Sequence, residues 1–394
     1  MPSLPTFANL IDPTIDALVQ SESVPRSAVR VVVSPYRICP LGAHVDHQGG
    51  DVLGRTIDSG TVLAFAPLAG PEVRLYSQHF GHAGFDFSAP VDLQHWACYA
   101  QAAAQVLARR GPLRHGLAGE VSGTMIGAGL SSSASVGLAY LFALASVNGI
   151  ELSPGDLVEL DHRLENEYLG LKNGILDPAT IVHGRPDALL HILTLSGEVR
   201  TIPDAQPSGS LAWIVAYSGV SRQLVQSGYN SRVSECREAA SLLLSGAQRL
   251  SDVPRGLFEA RGDSLPEPLR RRAAHYFDEV QRVEAGRQAW AASDFDTFGA
   301  LMNASCESSI RQYESGGPVI IDLQNILHAT PGVYGSRFSG GGFAGCVVAL
   351  VRRDAAHDIA DSISDRFAGE HPELSARAVY VVDMDGGLRF WEGR

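Results

Sequence analysis

A chain of 394 residues with 45% hydrophobic content is long for one domain and suits two domains with buried cores. Its formal charge of −12 excludes broad nucleic-acid binding, which needs a dense cationic face to displace counterions. No apolar stretch nears the roughly 20 residues that span a bilayer. The N-terminus, M-P-S-L-P-T-F-A-N-L-I-D-P, lacks the basic start and apolar run of a secretory leader. Cys39, Cys98, Cys236, Cys306 and Cys346 are scattered and without C-x-x-C pairing, so they read as reduced thiols. A soluble, cytoplasmic protein with no membrane or nucleic-acid partner is expected. Lys172 is the sole lysine and no G-x-x-x-x-G-K-[ST] occurs, which excludes a P-loop nucleotide site.

In chain order, the β-branched run Val29 to Ser34 predicts a strand that ends at Pro35 and feeds a loop. Thr61 to Ala66 and Val73 to Ser77 are further strand candidates. The alanine-rich segment Trp96 to Arg110 predicts a helix stopped by Gly111-Pro112, and Ser132 to Asn148 a second, closed by Gly149. Ser153-Pro154-Gly155-Asp156 supplies an N-cap, a first-turn proline and an early acid, opening a helix through about Tyr168. Asp187 to Leu195 and Leu211 to Tyr217 have strand length, and the polar linker Pro203 to Gly209 between them suggests a boundary between domains 1–200 and 201–394. Helical patterns follow at Asn230 to Leu244, Pro266 to Ala292, Phe295 to Ser308 and Ala355 to Phe367, with strands at Cys346 to Val351 and Ala378 to Val382. An α+β fold with several helices over a sheet is expected.

The run Gly127-Ala128-Gly129-Leu130-Ser131-Ser132-Ser133 joins a strand-like stretch to a helix. Glycine opens backbone conformations closed to other residues, and the N–H groups and positive end of the following helix stabilise anionic oxygens. The loop therefore predicts a phosphate site. Taken alone it could equally be a helix-capping turn.

It does not stand alone. G-x-G-L-S-S-S-A is similar to the ATP-phosphate motif of the GHMP kinases. Arg37 to Gly50, R-I-C-P-L-G-A-H-V-D-H-Q-G-G, resembles the signature G-R-x-N-x-I-G-E-H-x-D-Y-x-G-G of the galactokinases in that superfamily. Gly335 to Cys346, G-S-R-F-S-G-G-G-F-A-G-C, resembles their third motif, with Gly340, Gly341 and Gly342 as its glycine run. The resemblance covers nearly the whole chain and implies a two-domain GHMP fold with the active site in the cleft between domains, ATP as donor and Mg²⁺ as cofactor. It implies Asp177, in N-G-I-L-D, as the base for the accepting hydroxyl, although Pro178 replaces the usual glutamine; Asp177 could also cap a helix starting at Pro178. Arg37 matches the arginine beside the reacting hydroxyl, whose permanent charge would offset that of the transferring phosphoryl group. Glu165, 12 residues before Asp177, matches the metal glutamate, with Glu167 as rival and Ser132 as the second ligand.

For the sugar, the resemblance assigns Asp46 to ring hydroxyls, His44 to the neighbourhood of C6 and Tyr229 to the sugar before a long helix. The departures are Tyr36 for glycine, Ala43 for glutamate and His47 for tyrosine. Together they are similar to the plant galacturonokinase signature, P-Y-R-I-C-P-L-G-A-H-x-D-H-Q-G-G. Two carboxylates about 4 Å apart repel by roughly 4 kcal/mol at an effective dielectric near 20. Alanine at 43 therefore removes a barrier to a sugar carrying its own carboxylate at C6. Arg222, His44, His47 and backbone donors are the candidates for gripping that carboxylate. The expected activity is ATP-dependent phosphorylation of the anomeric hydroxyl of D-galacturonate. The alternatives are a galactokinase or other sugar-1-kinase of the same fold, and a non-catalytic sugar and ATP sensor. The sequence does not indicate an oligomeric state.

Overall fold

The computed structural model describes residues 4–125, 127–204, 210–220 and 228–392. β1 (Arg30–Leu41) is buried at every position after its first and pairs antiparallel with β2 (Val52–Pro67). The V-R-V-V-V-S run thus begins a strand longer than predicted. Pro35 does not end it. The register shifts between Pro35 and Arg37, a bulge that absorbs the missing proline N–H.

An eight-stranded sheet grows around this pair. Its order is β12 (Arg389–Phe390), β1, β2, β5 (Leu117–Gly123), β3 (Glu72–Ser77) and β4 (Gly81–Asp86), with β6 (Ala188–Leu193) and β7 (Glu198–Pro203) joined to the far end of β2. A second, four-stranded sheet runs β11 (Ala378–Val382), β8 (Leu211–Tyr217), β10 (Cys346–Arg352) and β9 (Val333–Phe338). The chain passes from the first sheet to the second between β7 and β8. The short β12 returns to pair with β1 at Val32 and Val33.

α1 (Phe7–Glu22) covers one face of the first sheet through Phe7, Ile11 and Leu18. α2 (Cys98–Leu107), α3 (Ser132–Val147) and α4 (Pro154–Arg163) lie on the other, and α3 is buried nearly all round between sheet and helices. α5 (Leu176–His183) follows α4 after a single π turn at Leu164–Tyr168. α6 (Tyr229–Leu243), α7 (Arg255–Arg261), α8 (Glu267–Ala291), α9 (Phe295–Arg311), α10 (Pro318–His328) and α11 (Ala356–Glu370) complete the chain. One hydrophobic cluster joins Ile38 and Leu53 of the first sheet, Trp213 and Val348 of the second, Trp290 of α8 and Phe298 of α9. Ala128 and Leu130 belong to it too, so the glycine-serine loop rests on the core that unites the sheets.

The predicted α+β architecture stands. The sequence reading passed over α1 and α10 and gave β12 no strand. Two residues of β12 carry no pattern of their own and become a strand only through pairing with β1. Among the described residues no helix is long and apolar enough to cross a membrane, and all five cysteines are buried and free.

Candidate active site

A cavity of about 1080 Å³ opens where the glycine-serine loop, the bulged end of β1 and the turn between β9 and β10 meet. The bulge after Pro35 turns Arg37 toward it. The Arg37 main-chain N–H donates to the Leu130 carbonyl at 3.2 Å, and its side chain is 3% exposed. Nε donates to Asp177 Oδ1 at 2.6 Å, while Nη1 donates to the Gly129 carbonyl and to Ser339 Oγ, both at 3.2 Å. Burial alone would lower the Arg37 pKa, but the charge and hydrogen bond of Asp177 raise it, so the guanidinium stays charged. Asp177 lies in the first turn of α5, which begins at Leu176 rather than Pro178. Its carboxylate meets Arg37 and does not cap the helix.

Gly127, Gly129, Ser131, Ser132 and Ser133 line the cavity; Ala128 and Leu130 point into the core beneath. Gly129 has φ +81°, and a Cβ there would stand 2.7 Å from the Ser339 carbonyl. Gly340 approaches Gly129 equally closely, with its own Cβ position 2.7 Å from the Gly129 carbonyl. Glycine is therefore required where two backbone turns touch. Ser132 Oγ accepts from the Gly127 N–H at 3.2 Å, and Ser131 Oγ is buried with no hydrogen-bond partner among the described residues.

The π turn after α4 buries Glu165 in the cavity wall, whereas Glu167 faces outward to pair with Arg109 and Arg163. Burial, then the charge of Asp177, pushes the Glu165 carboxyl up to about 7 against the pull of Asn173, Ser133 and Arg37. Oε2 accepts from Asn173 Nδ2, and among the described residues Oε1 has no hydrogen-bond partner within 3.5 Å. The hydroxyl beside Glu165 is that of Ser133; Ser132, expected as its metal partner, holds the loop at Gly127. An orphaned carboxylate oxygen with a hydroxyl beside it fits Mg²⁺, a hard cation that takes few protein ligands and completes its shell with water and phosphate. Among the described residues no cluster of three or more His, Cys, Asp or Glu could hold a metal.

The sugar-signature residues gather at the same cavity. Ala43, His44, Asp46 and Tyr229 line it. Burial, then the charge of Asp177, raises Asp46 to about 6, while the Leu176 N–H donates to Asp46 Oδ2 at 3.2 Å and opposes that shift. His44 sits at φ +60° and stacks on Tyr313 with centroids 4.1 Å apart. His47 does not fulfil its expected role as a pocket residue. Its ring lies behind the wall with Nε2 3.1 Å from the Tyr313 hydroxyl and Nδ1 2.9 Å from Gln48 Nε2, and burial pushes its pKa down to about 3. A neutral ring with both nitrogens engaged has nothing to offer a carboxylate. Arg222 lies outside the described residues.

The sequence reading missed the support beneath Ala43. Glu279 of α8, fully buried, accepts from the Gly42 and Ala43 N–H groups at 2.8 and 3.2 Å and from Ser305 Oγ at 2.6 Å. His275 Nε2 is 2.9 Å from the Ala43 carbonyl. Burial opposes charge on Glu279, but Arg282, His275 and Arg337 outweigh it and hold its carboxyl at about 2. Arg337, in the third motif, lines the cavity and was legible as a charged residue among glycines. The carboxyl of α8 carried no such signal.

A phosphate-type loop, an Arg–Asp pair and a polar pocket on one cavity define a phosphotransferase site. The chain belongs to the GHMP kinases: the models for the GHMP kinases N terminal domain and the GHMP kinases C terminal match residues 98–185 and 287–369. It is 39% identical over 391 residues to the galacturonokinase of Arabidopsis thaliana, with 91% of this chain and 92% of the relative covered. It is 30% identical to the galactokinase of Staphylococcus carnosus, covering 91% and 94%. The structure of Lactococcus lactis galactokinase complexed with galactose superposes with a TM-score of 0.85 at 28% identity, covering 92% of this chain and 95% of the other. A mevalonate kinase from Methanococcus jannaschii, at 16% identity and TM-score 0.62, shares the fold.

Proposed function

We infer that this chain is an ATP-dependent sugar-1-kinase that phosphorylates the anomeric hydroxyl of D-galacturonate to give α-D-galacturonate 1-phosphate. The observation that carries the reading is the Arg37–Asp177 pair on a cavity whose wall has alanine at position 43. In this reading Asp177 accepts the O1 proton as O1 attacks the γ-phosphorus; the new O–P bond forms as the bond to the ADP oxygen breaks. Arg37 holds the Asp177 carboxylate in place and offsets negative charge on the transferring group. The N–H groups and hydroxyls of Gly127 to Ser133, with Gly340 to Gly342 packed behind them, would hold the triphosphate.

Glu165, through the free Oε1, would hold Mg²⁺ together with a hydroxyl of Ser132 or Ser133. When bound, that ion neutralises charge on the β- and γ-phosphates. Asp46, His44 and Tyr229 would bind the sugar ring. The cleft between residues 1–200 and 201–394 would thus carry both substrates.

The test is a kinase assay with galacturonate, glucuronate and galactose at equal concentration under saturating MgATP. Galacturonate should give the highest kcat/KM. Preference for galactose would overturn the substrate assignment, and absence of turnover with every sugar would favour a sensor.

A further inference from the structure

Removing a carboxylate at position 43 admits an anionic sugar but does not bind one. Arg337 lies on β9 at the start of the third motif, is 1% exposed and lines the same cavity as Ala43 and His44. Glu279 Oε1 is 3.2 Å from Ala43 N and 3.8 Å from Arg337 Nη1, so a single carboxylate oxygen separates the guanidinium from the main chain of residue 43. Arg337 Nε donates to the Phe338 carbonyl at 3.0 Å and Nη1 to Ser305 Oγ at 3.1 Å. Among the described residues Nη2 has no hydrogen-bond acceptor.

The local charge is unbalanced. Glu279 also receives Arg282 Nε at 2.7 Å, so Arg282 and Arg337 share one carboxylate and leave one positive charge in excess beneath Ala43. His44 and His275 face this group from the signature loop and α8, and burial keeps both rings neutral. Cys39 and Cys306, the other titratable neighbours, are held protonated by burial. A glutamate at 43, as in the galactokinase signature, would supply the missing negative charge from the protein itself.

We propose that Arg337, left without a carboxylate partner at position 43, is the residue that binds the acidic sugar: its free Nη2 takes the C6 carboxylate, and the substrate's charge completes the Arg282–Glu279–Arg337 cluster. A buried guanidinium fixed on two of its nitrogens is preorganised and suits a carboxylate better than a flexible lysine does. This rests on the galacturonate reading and supplies the binding group that reading lacks.

The experiment compares kcat/KM for galacturonate and for galacturonamide, its neutral and nearly isosteric amide, under saturating MgATP. Parent, Arg337→Gln and Arg337→Lys are measured, with MgATP affinity by calorimetry as the check on the fold. The parent should favour the acid, and Arg337→Gln should cut the acid-to-amide ratio by roughly ten- to a hundredfold with MgATP affinity unchanged. Arg337→Lys, which keeps the charge but loses the planar group fixed by Phe338 and Ser305, should fall between them. A ratio within about threefold of the parent in Arg337→Gln would overturn the assignment. Should that variant not fold, the same result in Arg337→Lys does so. If the parent turns over galactose but neither acid nor amide, the substrate reading itself fails, a result distinct from an unchanged ratio.

Discussion

Arg37 Nε and Asp177 Oδ1 stand 2.6 Å apart, joining the bulged end of β1 to the first turn of α5 across the floor of the cavity. Arg37 is also fastened to the Gly129 carbonyl and Ser339 Oγ. The pair is therefore held by both motif turns rather than by its own attraction alone. Asp177→Asn keeps a polar group there but loses charge and basicity. Its kcat should fall by about 10² to 10⁴-fold while MgATP affinity is kept. Near-parental turnover in pure, folded protein would remove Asp177 from the role of base.

Gly129→Val tests the phosphate loop. The added Cβ meets the Ser339 carbonyl at 2.7 Å in a backbone conformation unfavourable to valine. The loop must move off the third-motif turn, and calorimetry should show MgATP binding weakened by at least about tenfold. Unchanged affinity with the fold intact would show that the loop does not hold the nucleotide.

Ala43→Glu should place a protein carboxylate beside the sugar's own C6 carboxylate, above the Arg282–Glu279–Arg337 cluster, so that the two compete for Arg337 and repel one another. Repulsion of roughly 4 kcal/mol between carboxylates about 4 Å apart is an upper guide, since water and rearrangement screen it. Galacturonate kcat/KM should drop at least about tenfold. An unchanged galacturonate-to-galactose ratio would mean that residue 43 does not face C6.

Glu165 and Glu167 separate the metal site from the helix surface. Glu165→Gln should raise the Mg²⁺ concentration for half-maximal rate by at least roughly tenfold, whereas Glu167→Gln should leave it unchanged. The opposite ranking would move the metal to the outer face.

Glu120 predicts a pH-dependent stability. It lies on the face of β5 that carries Ala118 and Ser122, beneath α1, fully buried, and among the described residues neither carboxyl oxygen has a hydrogen-bond partner. Burial raises its pKa to about 7. A folded-state pKa above the unfolded value of about 4.3 means that the native state holds the proton more tightly. The stabilisation from that proton is complete at low pH and is lost as pH rises through about 7. Glu120→Gln should therefore gain roughly 1–3 kcal/mol over the parent at pH 8 and much less at pH 5, read as a widening difference in Tm. An equal difference at both pH values would show that Glu120 does not titrate in this range.

Local signals made much of the protein legible. The glycine and serine run between a strand and a helix marked the loop because glycine conformations and helix N-termini are local properties. The Ser153 N-cap and Pro154 marked the start of α4 for the same reason, and Ser153 Oγ does accept from Asp156 N. Pro35 misled, because a lost ladder N–H is tolerated at a bulge and a bulge depends on the partner strand. Glu165 was preferred over Glu167 by resemblance; the π turn that sends one inward and the other to solvent has no sequence mark of its own.

The sequence by itself determined the family motifs, the α+β character and the loss of a carboxylate at residue 43. These depend on residue identity and short spacing. Only the tertiary structure decided what surrounds residue 43: His47 behind the wall on Tyr313, Glu279 under the main chain and Arg337 facing the cavity. Those groups come from the signature loop, α8 and β9, far apart in the chain. A buried charge is placed by packing and by the partners that repay its desolvation, neither of which a single segment encodes.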